Sequence, residues 1–422
     1  MLTGQTPVET NRSPLSGQFG AKILAMAREL ARFSQTPDGL TCTYFSPAHK
    51  SAAAQLREWM RTAGLAAEID AVGNVVGRYA SVDAAAKALI VGSHYDTVAN
   101  AGQFDGRLGI ITGIVVAEHL HRAGRRLPFH LDVIGFAEEE GVRFAAPYLG
   151  SSAVAGRFEA SILQRRDKDG VSIAAILAEA GVDLAAIRKL ARQRDTLRGY
   201  LEVHIEQGPV LLQRDLPVGV VTSIAGSARF AITIRGSAGH AGTVPMALRH
   251  DAAVAAAEVV LAVEKRCAGA PTLVGTVGQL TVPEGVINVI PGRCDLSLDV
   301  RAADDPTRDS AIADILAAVE SIAKRRGVTA DVREIARHPA VPCAQPMQSA
   351  LAQSIARAGI EPFRLASGAG HDGEMFAGVA DIGMLFVRCG NGGISHSPLE
   401  TVTADDADIA ARVLLDVLVN LN

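Results

Sequence analysis

A short apolar run, Ala88–Val91, gives way to a segment with helical spacing, Leu108–Ala123, and then to a second apolar run, Leu131–Phe136. Consecutive parallel strands need a long crossover, which a helix usually supplies, so this strand, helix, strand order predicts an α/β core on a parallel sheet. Upstream, apolar residues recur at helical spacing from Phe19 to Phe33 and from Ser46 to Ala63, with Gly64 as a stop. Downstream, Ile382–Val387 reads as a buried strand. Ala404–Leu421 reads as an amphipathic closing helix with Ile409, Val413, Leu414 and Val417 on one face. The first and last parts of the chain are therefore expected to share one sheet.

Between them, from Pro217 to Ile335, the pattern changes. It reads as strand Phe230–Ile234, an Ala-rich helix Pro245–Arg266 with Pro245 in its first turn, strands Leu273–Leu280 and Cys294–Val300, helix Asp305–Arg326 and strand Val328–Ile335. Such a βαββαβ unit can stand alone as a two-layer sandwich, which predicts an inserted second domain. A single large α/β domain with an elaborate insertion is the plainer alternative. A length of 422 residues, at about 150 per domain, agrees with two domains.

With 48% hydrophobic and 20% charged residues the chain is globular, neither disordered nor fibrous. Its 41 basic and 45 acidic side chains leave a net charge of -4, which offers no footprint for nucleic acid or an anionic membrane surface. No stretch reaches about 18 uninterrupted apolar residues, and Met1–Gly20 carries no charged-then-apolar leader pattern, so a cytoplasmic protein is expected. Cys42, Cys267, Cys294, Cys343 and Cys389 are scattered, odd in number and never paired as CxxC. That indicates reduced thiols rather than disulfides or a thiolate zinc site.

The chemistry gathers beside the predicted strands. His94 and Asp96, directly after Ala88–Val91, are two apart and project to the same side of extended chain, as a ligand and the carboxylate that orients it would. The HxD pair alone is weak evidence. Asp105, in Phe104-Asp105-Gly106, precedes the first helix and reads equally as a helix cap. Glu138, Glu139 and Glu140 follow the second strand, where three adjacent carboxylates repel one another unless a cation is bound; a solvated acidic loop is the competing reading. His204, in LEVHIEQG, reads by itself more often as a core or surface histidine than as a ligand, and His396 lies in a Gly- and Pro-fixed loop after Ile382–Val387. Joint occurrence carries the argument. Three histidines and several carboxylates converge on the place where α/β sheets gather ligands, with enough donors for two Zn²⁺ ions bridged by one carboxylate.

The segments GSHYDTV at Gly92, FDG at Phe104, EEEGVRF at Glu138, HIEQGPVL at His204, GSAGHAGTVPM at Gly236, INVIPG at Ile287, DVRAAD at Asp299, GAGHDG at Gly368 and GISHSPLE at Gly393 span nearly the whole chain. In order and spacing they resemble those of the dinuclear-zinc amidohydrolases of the hydantoinase/carbamoylase family, which includes allantoate amidohydrolases, N-carbamoyl-L-amino-acid hydrolases and bacterial-type β-ureidopropionases. The resemblance implies a mixed-sheet, zinc-aminopeptidase-like α/β catalytic domain over residues 1–216 and 336–422, with an inserted ferredoxin-like lid and dimerisation domain over 217–335. It implies two divalent metal ions, zinc foremost, with manganese, cobalt or nickel as alternatives. His94, Asp105 and His204 would bind one; Asp105, Glu140 and His396 the other, with Asp96 behind His94.

Anchoring the triplet on Gly141 makes Glu139 the general base and Glu140 the ligand, with Glu138 spare. Glu139 would take the proton of the attacking water and pass it to the leaving nitrogen of a ureido or carbamoyl group. His240 would stabilise the oxyanion in the active site of the partner subunit, so a homodimer formed through the inserted domain is implied; unaided, it reads as a turn histidine. Arg301, Asn288 and Gln207 would bind a small substrate's carboxylate, although they also read as a strand-edge charge, a turn former and a loop amide. His371 and Asp372 match a family segment and would brace the site. His119, His121, His130, His250 and His338 read as ordinary surface residues. Two departures stand out: Cys42 where many relatives have arginine after threonine, and Gly373 where alanine is common. Thr41–Ser46 is somewhat more like allantoate-type members.

A dizinc dipeptidase or aminopeptidase is the nearest rival, opposed by His204, where peptidase relatives generally place a carboxylate. A catalytically silent metal-binding homologue is the other, opposed by an intact Glu139.

Overall fold

The computed structural model describes residues 17–421. Met1–Ser16, most of the Met1–Gly20 stretch discussed above, and Asn422 lie outside them. The described chain divides into two compact units, one of residues up to Thr222 with Cys343–Leu365 and from His371 onward, the other of Ser223–Pro342 with Ala366–Gly370.

A mixed sheet organises the first unit. Its strands run in the order Ala66–Ile69, Val75–Tyr79, His130–Phe136, Ala88–His94, Leu197–Ile205, Ile382–Val387, Val218–Ile224. Four of these are mutually parallel: Ala88–His94 pairs with both His130–Phe136 and Leu197–Ile205, and Leu197–Ile205 pairs with Ile382–Val387. The last pairing joins the parts of the chain before and after the second unit in one sheet. Every residue of Ala88–His94, His130–Phe136 and Ile382–Val387 is buried, as expected of strands covered on both faces. Helix Arg107–Arg122 forms the crossover after the first of them.

The opening helices span Gly20–Leu30 and Pro47–Thr62, the second capped by the Ser46 hydroxyl, which accepts the His49 N–H. The first has no local side-chain cap. Its exposed amides are satisfied from the closing helix Ala404–Asn420 instead: Asp408, buried, accepts the N–H groups of Phe19 at 2.7 Å and Gly20 at 3.3 Å. Asp408→Ala leaves those donors unpaired and is expected to cost about 2 kcal/mol, read as a lower denaturant midpoint. An unchanged midpoint would show that water caps the helix equally well.

In the second unit, strands Gly226–Arg235, Leu273–Thr276, Arg293–Ala302 and Thr329–His338 form one antiparallel sheet. Alternate residues Ala228, Phe230, Ile232 and Ile234, with Cys294, Leu296, Leu298, Val300 and Ala302, pack in one core with the buried faces of helices Ala252–Cys267 and Asp305–Arg326. Three expectations are corrected here. The Ala-rich helix starts at Ala252, not Pro245, because Asp251 caps it by accepting the Ala253 and Val254 amides, while Pro245 precedes the short turn Met246–Leu248. Leu273–Leu280 is interrupted, leaving strand Leu273–Thr276 and a two-residue strand Leu280–Thr281 around Gly278. In the first unit, His130 is buried rather than superficial; it begins a central strand, and its Nδ1 accepts the Ser81 N–H. All five cysteines are buried free thiols, and among the described residues no helix is long and apolar enough to cross a membrane.

Candidate metal centre

All the candidate ligands lie at or beyond the carboxyl ends of the four parallel strands. His94 ends one strand, Glu138–Glu140 follow Phe136, His204 is the penultimate residue of Leu197–Ile205, and His396 sits in the loop after Val387. Asp105 comes from the turn before helix Arg107–Arg122. That turn closes on Gly106, at φ +65°, where an added Cβ would stand 2.4 Å from the His94 ring. Glycine is therefore the residue that lets Asp105 and His94 approach.

Asp105 is the hub. Its carboxylate lies 3.6 Å from His94 Nε2, 3.2 Å from His204 Nε2 and 3.1 Å from His396 Nε2, and His396 Nε2 is 3.5 Å from Glu140. Among the described residues, donors of His94, Asp105 and His204 lie within 4.8 Å of one another, as do those of Asp105, Glu140 and His396 and those of His94, Glu139 and Glu140. Glu138 is in none of these groups. It is buried with a positive φ of 59°, and its carboxyl is pushed well up by burial and by Asp96.

The histidines are oriented from behind. His94 Nδ1 lies 3.1 Å from the Asp96 carbonyl oxygen and His204 Nδ1 2.8 Å from that of Ile205, which turns Nε2 of each toward Asp105. Asp96 does more than back His94. Its two carboxylate oxygens accept the N–H groups of Glu139 at 3.0 Å and Glu140 at 3.2 Å, fixing both side chains' starting points.

Electrostatics match the crowding. Burial raises the Asp105 carboxyl, but hydrogen bonding by His204, His396 and His94 outweighs it and holds the group well below the usual range. Burial pushes Glu139 well up and Glu140 to about 7. Buried carboxylates raised in this way, interleaved with imidazole Nε2 atoms, are a donor set suited to divalent zinc or manganese, so the residues fit a metal centre. The site is closed on the His94 and His204 side and opens at His396, whose side chain is 49% exposed.

Gln207 falls inside the cluster. Its Nε2 lies 3.1 Å from Asp105 and 3.3 Å from His396, while its Oε1 is buried without a hydrogen-bond partner. His240, Asn288 and Arg301 belong to the second unit. His240 is exposed on a two-residue strand paired with Val289–Ile290, and Asn288 accepts the Ala241 N–H beside it. Arg301 is held by its neighbours: Asp299 accepts from its Nε and Nη2, each at 3.0 Å, and the Gly368 carbonyl from its Nη1.

Residues not singled out from the sequence also build the site. Glu202, two before His204 and hence on the same strand face, accepts Ser93 Oγ, the Tyr200 hydroxyl and the Gly373 N–H. It forms a further buried group with His204 and His371, the latter edge-on to His204 at 4.5 Å. Gly373 thus lies against Glu202, and Cys42 is wholly buried beside Arg107. The two-residue spacing of Glu202 and His204 was the available signal.

Comparison with known proteins shows the family. The sequence profile of Peptidase family M20/M25/M40 matches residues 90–420. An N-carbamoyl-L-amino acid amidohydrolase of Geobacillus stearothermophilus is 39% identical over 94% of this chain and 97% of its own length. Allantoate deiminase 2 of Glycine max is 39% identical over 95% of this chain and 89% of its own. The crystal structure of a hydantoinase/carbamoylase family amidase from Burkholderia multivorans superposes with a TM-score of 0.89 at 32% identity, over 95% of this chain and 97% of that one. The chain belongs to Peptidase family M20/M25/M40 and, with these relatives, to the hydantoinase/carbamoylase amidases.

Proposed function

We propose that this chain is a metal-dependent amidohydrolase that cleaves the C–N bond of a ureido or carbamoyl group in a linear, carboxylate-bearing amide such as allantoate or an N-carbamoyl amino acid, with release of ammonia. The observation that carries it is the pair of donor groups sharing Asp105, with Glu139 beside them. His94, Asp105 and His204 would hold one ion and Asp105, Glu140 and His396 the other, zinc being the best match to three imidazoles and carboxylates. Bound there, the ions would supply Lewis acidity toward water and the ureido carbonyl.

The chain's own groups do the rest. Glu139, buried and fixed at its N–H by Asp96, takes a proton from the attacking water and returns it to the departing nitrogen. His240 donates to the developing oxyanion, supplied by the second subunit of a dimer through the Ser223–Pro342 unit, a ferredoxin-like lid. Arg301, pre-oriented by Asp299, binds the substrate carboxylate with Asn288, and Gln207 beside Asp105 is a further substrate-binding amide. Similar identity to a carbamoyl-amino-acid hydrolase and to an allantoate deiminase supports the shared ureido chemistry rather than one substrate.

The test is ammonia release from allantoate, N-carbamoyl-L-amino acids and N-carbamoyl-β-alanine with Zn²⁺ or Mn²⁺ present. Release from at least one of them, abolished by chelation, is expected. Cleavage of dipeptides alone would replace this reading with a dizinc peptidase, and no turnover of any of these with two ions bound would indicate a silent homologue.

A further inference from the structure

Two of the proposed ligands, Asp105 and His396, lie on loops almost three hundred residues apart in sequence, and neither loop is regular. Something must hold them in register. His396 itself sits at φ +54°, a conformation that a non-glycine residue keeps only when its surroundings impose it. Glu400, four residues on, is 4% exposed, and its Oε1 accepts two consecutive backbone N–H groups, from Phe104 at 2.7 Å and Asp105 at 3.2 Å. Ser395, just before His396, closes the arrangement. Its hydroxyl lies 3.0 Å from Glu400 Oε2 and 3.1 Å from Asp105 Oδ2.

Gly102 gives an independent sign of the same contact. A Cβ there would stand 2.3 Å from the Glu400 carboxyl carbon and Oε1 and 2.4 Å from its Cβ. Because that carboxyl group is tied to two amides and a hydroxyl, it cannot move aside without releasing them. Gly102 and Glu400 are thus one device contributed by opposite ends of the chain.

We propose that Glu400 is a positioning residue that clamps the Asp105 loop to the His396 loop and so sets the affinity of the metal centre, with Gly102 supplying the room it needs. The inference rests on the reading of these residues as a metal centre. Glu400 touches no reacting atom and takes no part in proton transfer.

The test is Zn²⁺ binding to metal-stripped full-length protein, titrated against a competing chelator, beside the unfolding midpoint of the same stripped samples. Outer-shell changes typically weaken metal binding by about ten- to a hundredfold. Glu400→Gln, which keeps the shape and one acceptor oxygen, is expected at the lower end of that range and Glu400→Ala at the upper. Gly102→Ala should reproduce Glu400→Gln, and the double variant should be no weaker than the weaker single one, because both break one contact. The midpoint of the stripped protein should move little in Glu400→Gln, and this keeps the test valid if Glu400→Ala does not fold. Wild-type Zn²⁺ affinity in Glu400→Gln and Gly102→Ala, or a loss of stability with affinity intact, overturns the clamp. Failure of the unaltered protein to bind two Zn²⁺ ions overturns the metal centre itself and the clamp with it, an outcome told apart from the first by the wild-type titration alone.

Discussion

Glu139→Gln is expected to lower kcat by about 10²- to 10⁴-fold with two metal ions still bound and KM little changed. Glutamine keeps the side chain's shape, and the Glu139 N–H still reaches Asp96, so the substitution removes the ability to accept and return a proton and little else. Glu139 is suited to that task by its surroundings. It is 9% exposed, and burial first, then Glu140, Asp372 and Asp96, raise its affinity for a proton, against the opposing pull of His94. A carboxylate so placed could hold a proton between its removal from water and its delivery to nitrogen, as the proposed reaction requires. Glu138→Gln is the control for the register of the acidic triplet. Glu138 joins none of the donor groups, so its loss should affect stability more than kcat. If Glu138→Gln were the inactive variant and Glu139→Gln the active one, the assignment anchored on Gly141 would be displaced by one residue.

That triplet shows what the sequence could and could not reveal. Three carboxylates ending an apolar strand announce a charged site, but which of them faces it depends on backbone conformation: Glu138 takes a positive φ and turns away, leaving Glu139 and Glu140 beside His94. Pattern alone carries no such sign, and resemblance to a family had to supply the register. The sheet was more legible, because buried parallel strands are unbroken apolar runs and each announces the loop that follows it. Helix starts were legible where the cap is local, as at Ser46, and misread at Pro245, where a favourable first-turn residue outweighed the true cap six positions later, Asp251. Contacts that cross the chain were invisible. Asp408 capping the first helix and Glu400 holding the Asp105 loop are single side chains meeting amides nearly four hundred and three hundred residues away, and no local pattern encodes either.

Asp105→Asn should have the broadest effect of any single change, because it is the one side chain common to both donor groups. An asparagine offers one neutral carbonyl oxygen where the carboxylate offers two oxygens and a negative charge, so it would be a poor shared ligand for two cations. Three imidazoles converge on Asp105, with His94, His204 and His396 Nε2 at 3.6, 3.2 and 3.1 Å from its carboxylate. The expected result is metal content falling from two ions to one or fewer per chain. Loss of several kcal/mol of transition-state stabilisation would follow, a rate reduction of about 10³-fold or more. His396→Asn gives the contrast. His396 belongs to only one donor group and is half exposed, so its loss should release one ion and leave the His94, Asp105 and His204 group able to keep the other. Equal metal loss from both variants would mean that the two positions fill and empty together. Full metal content in Asp105→Asn would mean that a different group bridges the ions, and the arrangement argued from this carboxylate would have to be abandoned.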